Sequence, residues 1–259
     1  MPEEQNAEYH ADTSRVSHSM LEVFRESPAK YHATYVAETM ARTPRTDAMR
    51  FGSAFHCAVL EPERFALEYY AEPGIDDMRT KKWAAMVERV PDKECLKYSE
   101  MLTISTMADS VWHHETAVQI IAADAIIETP IYWDEEGQPS KCKPDILILD
   151  KPGGVAVDVD LKSCKDPSPR AFRRDGFTYG YFRAADWYRR GVEATTWLRH
   201  RRLFIAVGKT PPHDVWVYDC RELDLVEAAD QNESDLEWLA TCRESGIWLA
   251  RGQSGITEL

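Results

Sequence analysis

The chain has 259 residues, 44% of them hydrophobic and 29% charged, with a formal net charge of -13. It is long enough to bury a full core and ordinary in composition for a globular protein. It is too acidic for a sequence-blind coat on nucleic acid, because phosphate contacts need lysine and arginine. The six cysteines contain no C-x-x-C pair, so zinc-knuckle and common iron–sulfur spacings are absent. No signal peptide is read at the N-terminus, and the longest apolar patch, Val118 to Ile127, is interrupted by Gln119 and Asp124. The expectation is a cytoplasmic protein with reduced thiols and no membrane partner.

Met1 to Ala11 is polar and is expected to fray. Ser17 or Ser19 can cap a helix through Met20-Leu21-Glu22-Val23-Phe24, which Ser27-Pro28 ends. A second helix is predicted through Tyr31 to Met40, broken at Thr43-Pro44-Arg45. A third runs from Asp47 to Leu60 and stops at Glu61-Pro62. Within it Phe51, Phe55 and Val59 recur at helical spacing and mark the buried face, while His56 lies beside Gly52 and Leu60 on a neighbouring one. Pro62 to Arg79 reads as a short strand or loop. Arg79-Thr80-Lys81-Lys82-Trp83 opens another helix, and Lys93 to Ala123 supplies one or two more. Ala125 to Trp133 begins a sheet, and Asp134-Glu135-Glu136-Gly137 is a hairpin turn.

Ile146-Leu147-Ile148-Leu149 is a continuous apolar run and reads as a buried strand. Asp150-Lys151-Pro152-Gly153-Gly154 turns the chain into a second strand, Val155 to Lys162. Ser168-Pro169 then starts a helical stretch, and Tyr181 to His200 is predicted as one long helix. Leu203 to Val207 and Asp214 to Tyr218 are further strands, split by Pro211-Pro212, and Asp224 to Arg251 is helical. This order predicts an α/β (α+β) fold, with a mixed central sheet flanked by helices behind a helical N-terminal part. One domain is expected over 1–259, with helices over 1–124, a sheet core over 125–220 and a C-terminal helical region over 221–259.

The strand from Val155 to Lys162 organises the rest. Side chains alternate along it, so Val155, Val157, Val159 and Leu161 point one way and Asp158, Asp160 and Lys162 the other. Carboxylates and an ammonium on one face of an apolar strand are costly unless paired, solvated or bound to metal. With Asp145 at the start of the preceding strand, the hairpin has the look of a metal-dependent phosphodiester-cleaving core. The following stretch is basic, with eleven Lys and Arg against four Asp and Glu between Lys162 and Arg202. An acidic chain with a local basic surface remains compatible with nucleic acid, and a solvated helix surface is the plain alternative.

Glu128, then Lys143-Pro144-Asp145, then Asp160-Leu161-Lys162 resembles the PD-(D/E)xK nuclease superfamily. More narrowly, the chain resembles the exonuclease VIII (RecE-type) family of phages and prophages. The likeness rests also on Val16-Ser17-His18-Ser19-Met20-Leu21, Ser27-Pro28-Ala29-Lys30-Tyr31, the segment Phe51-Gly52-Ser53-Ala54-Phe55-His56 through Phe65, the Arg79-Thr80-Lys81 tripeptide, and Tyr179-Gly180-Tyr181. It extends from about residue 9 to about residue 195.

The resemblance implies a PD-(D/E)xK core and a 5′–3′ exonuclease on duplex DNA ends, dependent on Mg²⁺ with Mn²⁺ as the alternative ion, that leaves 3′ single-stranded tails for recombination. It implies metal ligation by His56, Asp145, Asp160 and the backbone carbonyl of Leu161. Glu128 would be a further acidic catalytic residue, and Lys162 would hold the attacking water. Arg79, Lys81, Tyr181 and Arg183 would contact DNA. A homo-oligomeric ring, a tetramer above all, a RecT-like single-strand annealing partner and a bacterial cytoplasm hosting the phage or prophage complete the implied picture. Asp158 stays open between metal contact and an ion pair. Arg183 departs from the glutamine usual at its position, which keeps in play a DNA-end-binding accessory protein with weak or no activity. An endonuclease of the same superfamily is a separate alternative, made less favourable by the lack of a target-recognition domain.

Overall fold

A computed structural model describes residues 8–249. Its centre is the strand whose alternation organises the sequence. β3 (Ala125–Ile127), β6 (Ile146–Asp150), β7 (Val155–Cys164), β8 (Arg199–Gly208) and β9 (Val215–Asp219) form a five-stranded sheet in the order β3-β6-β7-β8-β9. β6 and β7 pair antiparallel across the 151–154 turn, as do β3 with β6 and β8 with β9. β7 and β8 are parallel. A parallel pair needs a long connection, and α8 (Pro169–Thr178) with α9 (Tyr181–Thr196) provides it.

The two faces of β7 differ as the alternation predicts. Val159 and Leu161 enter one core with Ile146, Ile205 and Val207 of the neighbouring strands. That core is covered by α3 (Asp47–Leu60) and α6 (Tyr98–Trp112), which contribute Phe55, Val59, Ile104 and Met107. On the opposite face Ala156, Asp158 and Asp160 are buried. Between α3 and α6 run α4 (Pro62–Glu68), β1 (Tyr69–Tyr70), α5 (Lys81–Arg89) and β2 (Glu94–Cys95), and α7 (Glu115–Ile121) leads into β3. α1 (His18–Glu26) and α2 (Pro28–Tyr31) pack instead with α10 (Glu222–Ser245).

Several boundaries differ from the sequence expectation. Pro62–Glu68 is helical rather than strand or loop. Proline fits the first turn of a helix, and Arg64 joins Glu61 and Glu68 at helical spacing. The helix predicted through Met40 ends earlier, because α2 passes into a π-helical turn over His32–Val36. The long helix ends at Thr196 and not at His200. Trp197 takes a left-handed conformation, φ 60°, and the chain enters β8 at Arg199. Ten consecutive register pairs with β7, from Val155↔Arg199 to Cys164↔Gly208, account for the longer strand. β4 (Ile131–Glu135) and β5 (Gln138–Cys142) make the expected hairpin but form their own two-stranded sheet.

At the start of the described chain Tyr9 is buried, with the Lys141 ammonium 4.5 Å from its ring centroid. The fraying expected for Met1 to Ala11 therefore does not extend to Tyr9, and residues 1–7 lie outside the described residues. The helical stretch expected from Asp224 to Arg251 ends at Ser245, where Gly246 takes a left-handed conformation, φ 69°, and residues 250 and 251 lie outside the described residues. All six cysteines are free thiols. No helix among the described residues is long and apolar enough to cross a membrane.

Candidate metal centre

Three elements bring one side chain each to a common point. Thr46 caps α3 by accepting the Met49 N–H at 3.2 Å, and the helix then carries His56 on the flank of its apolar stripe. Asp145 immediately precedes β6. Glu128 immediately follows β3, and the register Ile127↔Ile146 sets it opposite Asp145, whose carbonyl accepts its N–H at 3.1 Å. One ligand atom from each of His56, Glu128 and Asp145 lies within 4.8 Å of the other two. Glu128 holds φ at 50°. For a residue with a Cβ this left-handed backbone costs on the order of 1 kcal/mol, and such strain tends to collect at functional sites.

The charges in the cluster are arranged in pairs. His56 Nδ1 lies 3.4 Å from Asp145 Oδ2, and Lys143 forms an ion pair with Glu128. Asp145 Oδ2 also accepts the Leu161 N–H at 2.9 Å. Burial would raise the pKa of Asp145, but the His56 charge and hydrogen bond, then Lys162 and the Leu161 amide, hold it well below the usual carboxylate range. Burial disfavours the His56 imidazolium, and the Asp145 carboxylate outweighs that and holds its pKa above the ordinary histidine value. Tyr188 fixes the segment from behind, its hydroxyl donating to the Lys143 carbonyl at 3.2 Å.

Two carboxylates and an imidazole, partly open to solvent, fit a small divalent cation. Mg²⁺ takes hard oxygen ligands and keeps its own waters, and the imidazole makes Mn²⁺ equally suitable. Two carboxylates this close repel unless cationic groups balance them. Lys143 and His56 do so here, and a cation would take over that role.

The other implied residues fall beside this cluster. β7 sets Asp160 opposite Asp145, one step beyond the pair Ile146↔Val159. Its Oδ2 lies 2.5 Å from Lys162 Nζ and its Oδ1 2.9 Å from a terminal nitrogen of Arg202. Asp160 is thus held by two cations, whereas Glu128 joins His56 and Asp145. Leu161 reaches the cluster through its amide N–H, donated to Asp145. Lys162 Nζ is also 5.4 Å from the centroid of Tyr181. Asp158 lies away from the cluster, buried against Arg202 and His200.

Of the implied DNA contacts, Arg79 and Lys81 are exposed at the start of α5, with Arg79 paired to Asp77. Arg183 is engaged elsewhere. Its guanidinium makes two hydrogen bonds, 2.7 and 2.6 Å, to the Glu22 carboxylate on α1. Much of the basic stretch is neutralised in the same way, through Arg173–Asp224, Arg189–Asp186, Arg190–Glu135 and Arg201–Asp219. Sequence reasoning missed Lys143 as the partner of Glu128 and Arg202 as the partner of Asp158 and Asp160. The K-P-D tripeptide carried a signal for Lys143, since it is two residues from Asp145. Nothing local singled out Arg202.

Residues 17–256 match the family described as a PDDEXK-like domain of unknown function (DUF3799). The chain belongs to this family. Pro144-Asp145 and Asp160-Leu161-Lys162 are the residues that the sequence resemblance sets against the P-D and D-x-K of the PD-(D/E)xK superfamily's name. The fold agrees, since a mixed sheet flanked by helices is shared with the crystal structure of a "Putative exonuclease" from Eubacterium rectale. That similarity has a TM-score of 0.66 over 100% of this chain and 95% of that chain, at 12% sequence identity. The crystal structure of SSO0001 gives a TM-score of 0.29 at 11% identity, over 52% of this chain and 68% of that one, too low to carry an argument. No curated protein sequence matches the chain.

Proposed function

We propose that this PDDEXK-like protein is a divalent-metal-dependent exonuclease acting on the 5′-ended strand of linear duplex DNA and leaving 3′ single-stranded tails. The observation that carries the reading is the meeting of His56, Glu128 and Asp145 next to the Asp160-Leu161-Lys162 strand. A bound Mg²⁺ or Mn²⁺ would supply polarisation of the phosphoryl oxygen and a more acidic attacking water. His56, Glu128 and Asp145 would hold it, with Asp160 at the margin.

The chain's own residues divide the remaining work. Lys162, a compact charge on a flexible stem, is suited to orienting water and balancing the charge that gathers on the scissile phosphate. Asp160 steadies that ammonium from one side and the Tyr181 ring from another. The Leu161 amide keeps Asp145 turned towards the cluster.

The direction of attack rests on the resemblance to the exonuclease VIII (RecE-type) family alone; the Eubacterium rectale structure, described as a "Putative exonuclease", supports the reaction class and carries no direction. From the same resemblance come a homo-oligomeric ring, a tetramer in the first instance, and a single-strand annealing protein as partner. A second reading, a DNA-end-binding protein with little hydrolysis, draws on Arg183, which is bound to Glu22 instead of being free for phosphate.

Digestion of linear duplex DNA labelled at the 5′ or the 3′ end, with Mg²⁺ or with EDTA, tests this. Early release of the 5′ label as mononucleotide, abolished by EDTA, is the expected result. Binding of DNA ends without cleavage under any divalent metal would leave the second reading in place.

A further inference from the structure

On the face of β7 turned away from α3, one buried guanidinium serves two aspartates. Arg202 stands on β8 in register with Asp158, and its side chain is 1% exposed. One terminal nitrogen pairs with Asp158 Oδ2, and the other lies 2.9 Å from Asp160 Oδ1. His200 Nε2 sits 3.1 Å from the same Asp158 oxygen. The guanidinium is further confined by two rings, Tyr188 at 4.7 Å and Phe204 at 5.2 Å to their centroids.

Stability is a poor explanation for this arrangement. Burying ions carries a desolvation cost, and apolar groups of similar volume are often as stable or better. Asp158 Oδ1, His200 Nδ1 and Arg202 Nε find no hydrogen-bond partner among the described residues, and Asp160 Oδ2 has only its ion pair with Lys162, a further cost for buried polar atoms. What the arrangement does achieve is orientation. Asp160 has one oxygen tied down at Arg202, so its other oxygen, Oδ2, faces Lys162 Nζ at 2.5 Å.

We propose that Arg202, itself clamped by Asp158, is a positioning residue for the hydrolytic site, holding Oδ1 of Asp160 so that Oδ2 alone is offered to Lys162 and to a divalent cation. The proposal rests on the nuclease reading above. It also gives Asp158, which lies away from the metal cluster, a role: it anchors the arginine. A planar two-nitrogen fork can span carboxylates on residues i and i+2 of one strand, whereas an ammonium is a point charge.

The test uses the full chain carrying Asp158→Leu with Arg202→Met, which removes the ion pair as a unit and leaves no unpaired charge from it. Mn²⁺ affinity is measured by calorimetry without DNA, and kcat and KM on linear duplex. A folded double variant is expected to bind Mn²⁺ about 10-fold more weakly and to lose about 10- to 100-fold in kcat, with KM for DNA changed less than about 3-fold. Arg202→Lys, which keeps the charge but not the fork, should shift both in the same direction. Unchanged Mn²⁺ affinity and kcat in either folded variant overturn the proposal.

If neither variant folds, the structure of the wild-type protein with Mn²⁺ decides. Asp160 Oδ1 on Arg202 with Oδ2 towards the ion upholds the clamp, and Oδ1 on the ion refutes it. A wild-type protein that binds no Mn²⁺ removes the nuclease reading and the proposal together. A binding wild type with an equally binding double variant removes only the role of Arg202.

Discussion

Asp145 and Leu161 are joined by a 2.9 Å hydrogen bond from the Leu161 amide to Asp145 Oδ2. One carboxylate oxygen thereby links the start of β6 to the middle residue of the D-x-K strand, while lying 3.4 Å from His56 Nδ1. The bond fixes a side chain that belongs to no strand at the point where three segments meet.

Asp145→Asn keeps an oxygen acceptor for the Leu161 amide and removes the charge. The fold should persist, seen as an unchanged circular dichroism spectrum. Mn²⁺ affinity and hydrolysis should each fall by about 100-fold or more, the scale of a lost metal carboxylate. Near wild-type affinity in calorimetry would exclude Asp145 as a ligand.

Glu128 should invert the usual ranking of alanine over glycine. Both Glu128→Ala and Glu128→Gly lose the carboxylate and its pairing with Lys143, so their difference isolates the backbone. At φ 50° glycine is the better fit, and the glycine variant should be more stable than the alanine variant by about 1 kcal/mol in urea unfolding. The opposite order would mean that this backbone carries no strain.

The Glu22–Arg183 pair predicts a pH-dependent stability. Burial would raise the Glu22 pKa, but His18, 3.3 Å away, and the two Arg183 hydrogen bonds outweigh it and hold it down at about 2, against an ordinary value of 4.5. A depressed acid contributes stability in full above its unfolded pKa and loses it as pH falls through the folded one. Glu22→Gln should therefore cost about 1 kcal/mol at pH 7. The gap to wild type should close between about pH 4.5 and about pH 2. A gap independent of pH, in melting curves of both proteins, would refute the assignment.

Gly191 is where α9 meets the β4–β5 hairpin. A Cβ there would sit 2.7 Å from the Trp133 ring and 3.1 Å from Cys142 Sγ. Gly191→Ala should gain up to about 1 kcal/mol in helix propensity and lose about 1–3 kcal/mol to overpacking. A net destabilisation in urea unfolding is expected. A stabilised variant would mean that the hairpin yields to the added methyl group.

The sequence by itself determined what depends on near neighbours. α3 occupies the predicted span from Asp47 to Leu60 because its threonine cap, its apolar spacing and the terminating proline all lie within one short stretch. The β6–β7 hairpin was legible because a period of two and the Asp150-to-Gly154 turn are local signals. So was the sharing of one face by Asp158 and Asp160, and the motif order that led to the PD-(D/E)xK superfamily.

Only the tertiary structure decided which carboxylates share a site. Glu128 reaches His56 and Asp145 because β3 pairs with β6, and Asp160 turns towards Arg202 because β7 pairs with β8. The start of β8 at Arg199, the tie between Arg183 and Glu22, and the neutralised arginines follow from partners distant in sequence. Side-chain charge and backbone pairing energy depend on what stands opposite in space. Periodicity along one segment says which face a residue occupies, and the fold supplies its partner.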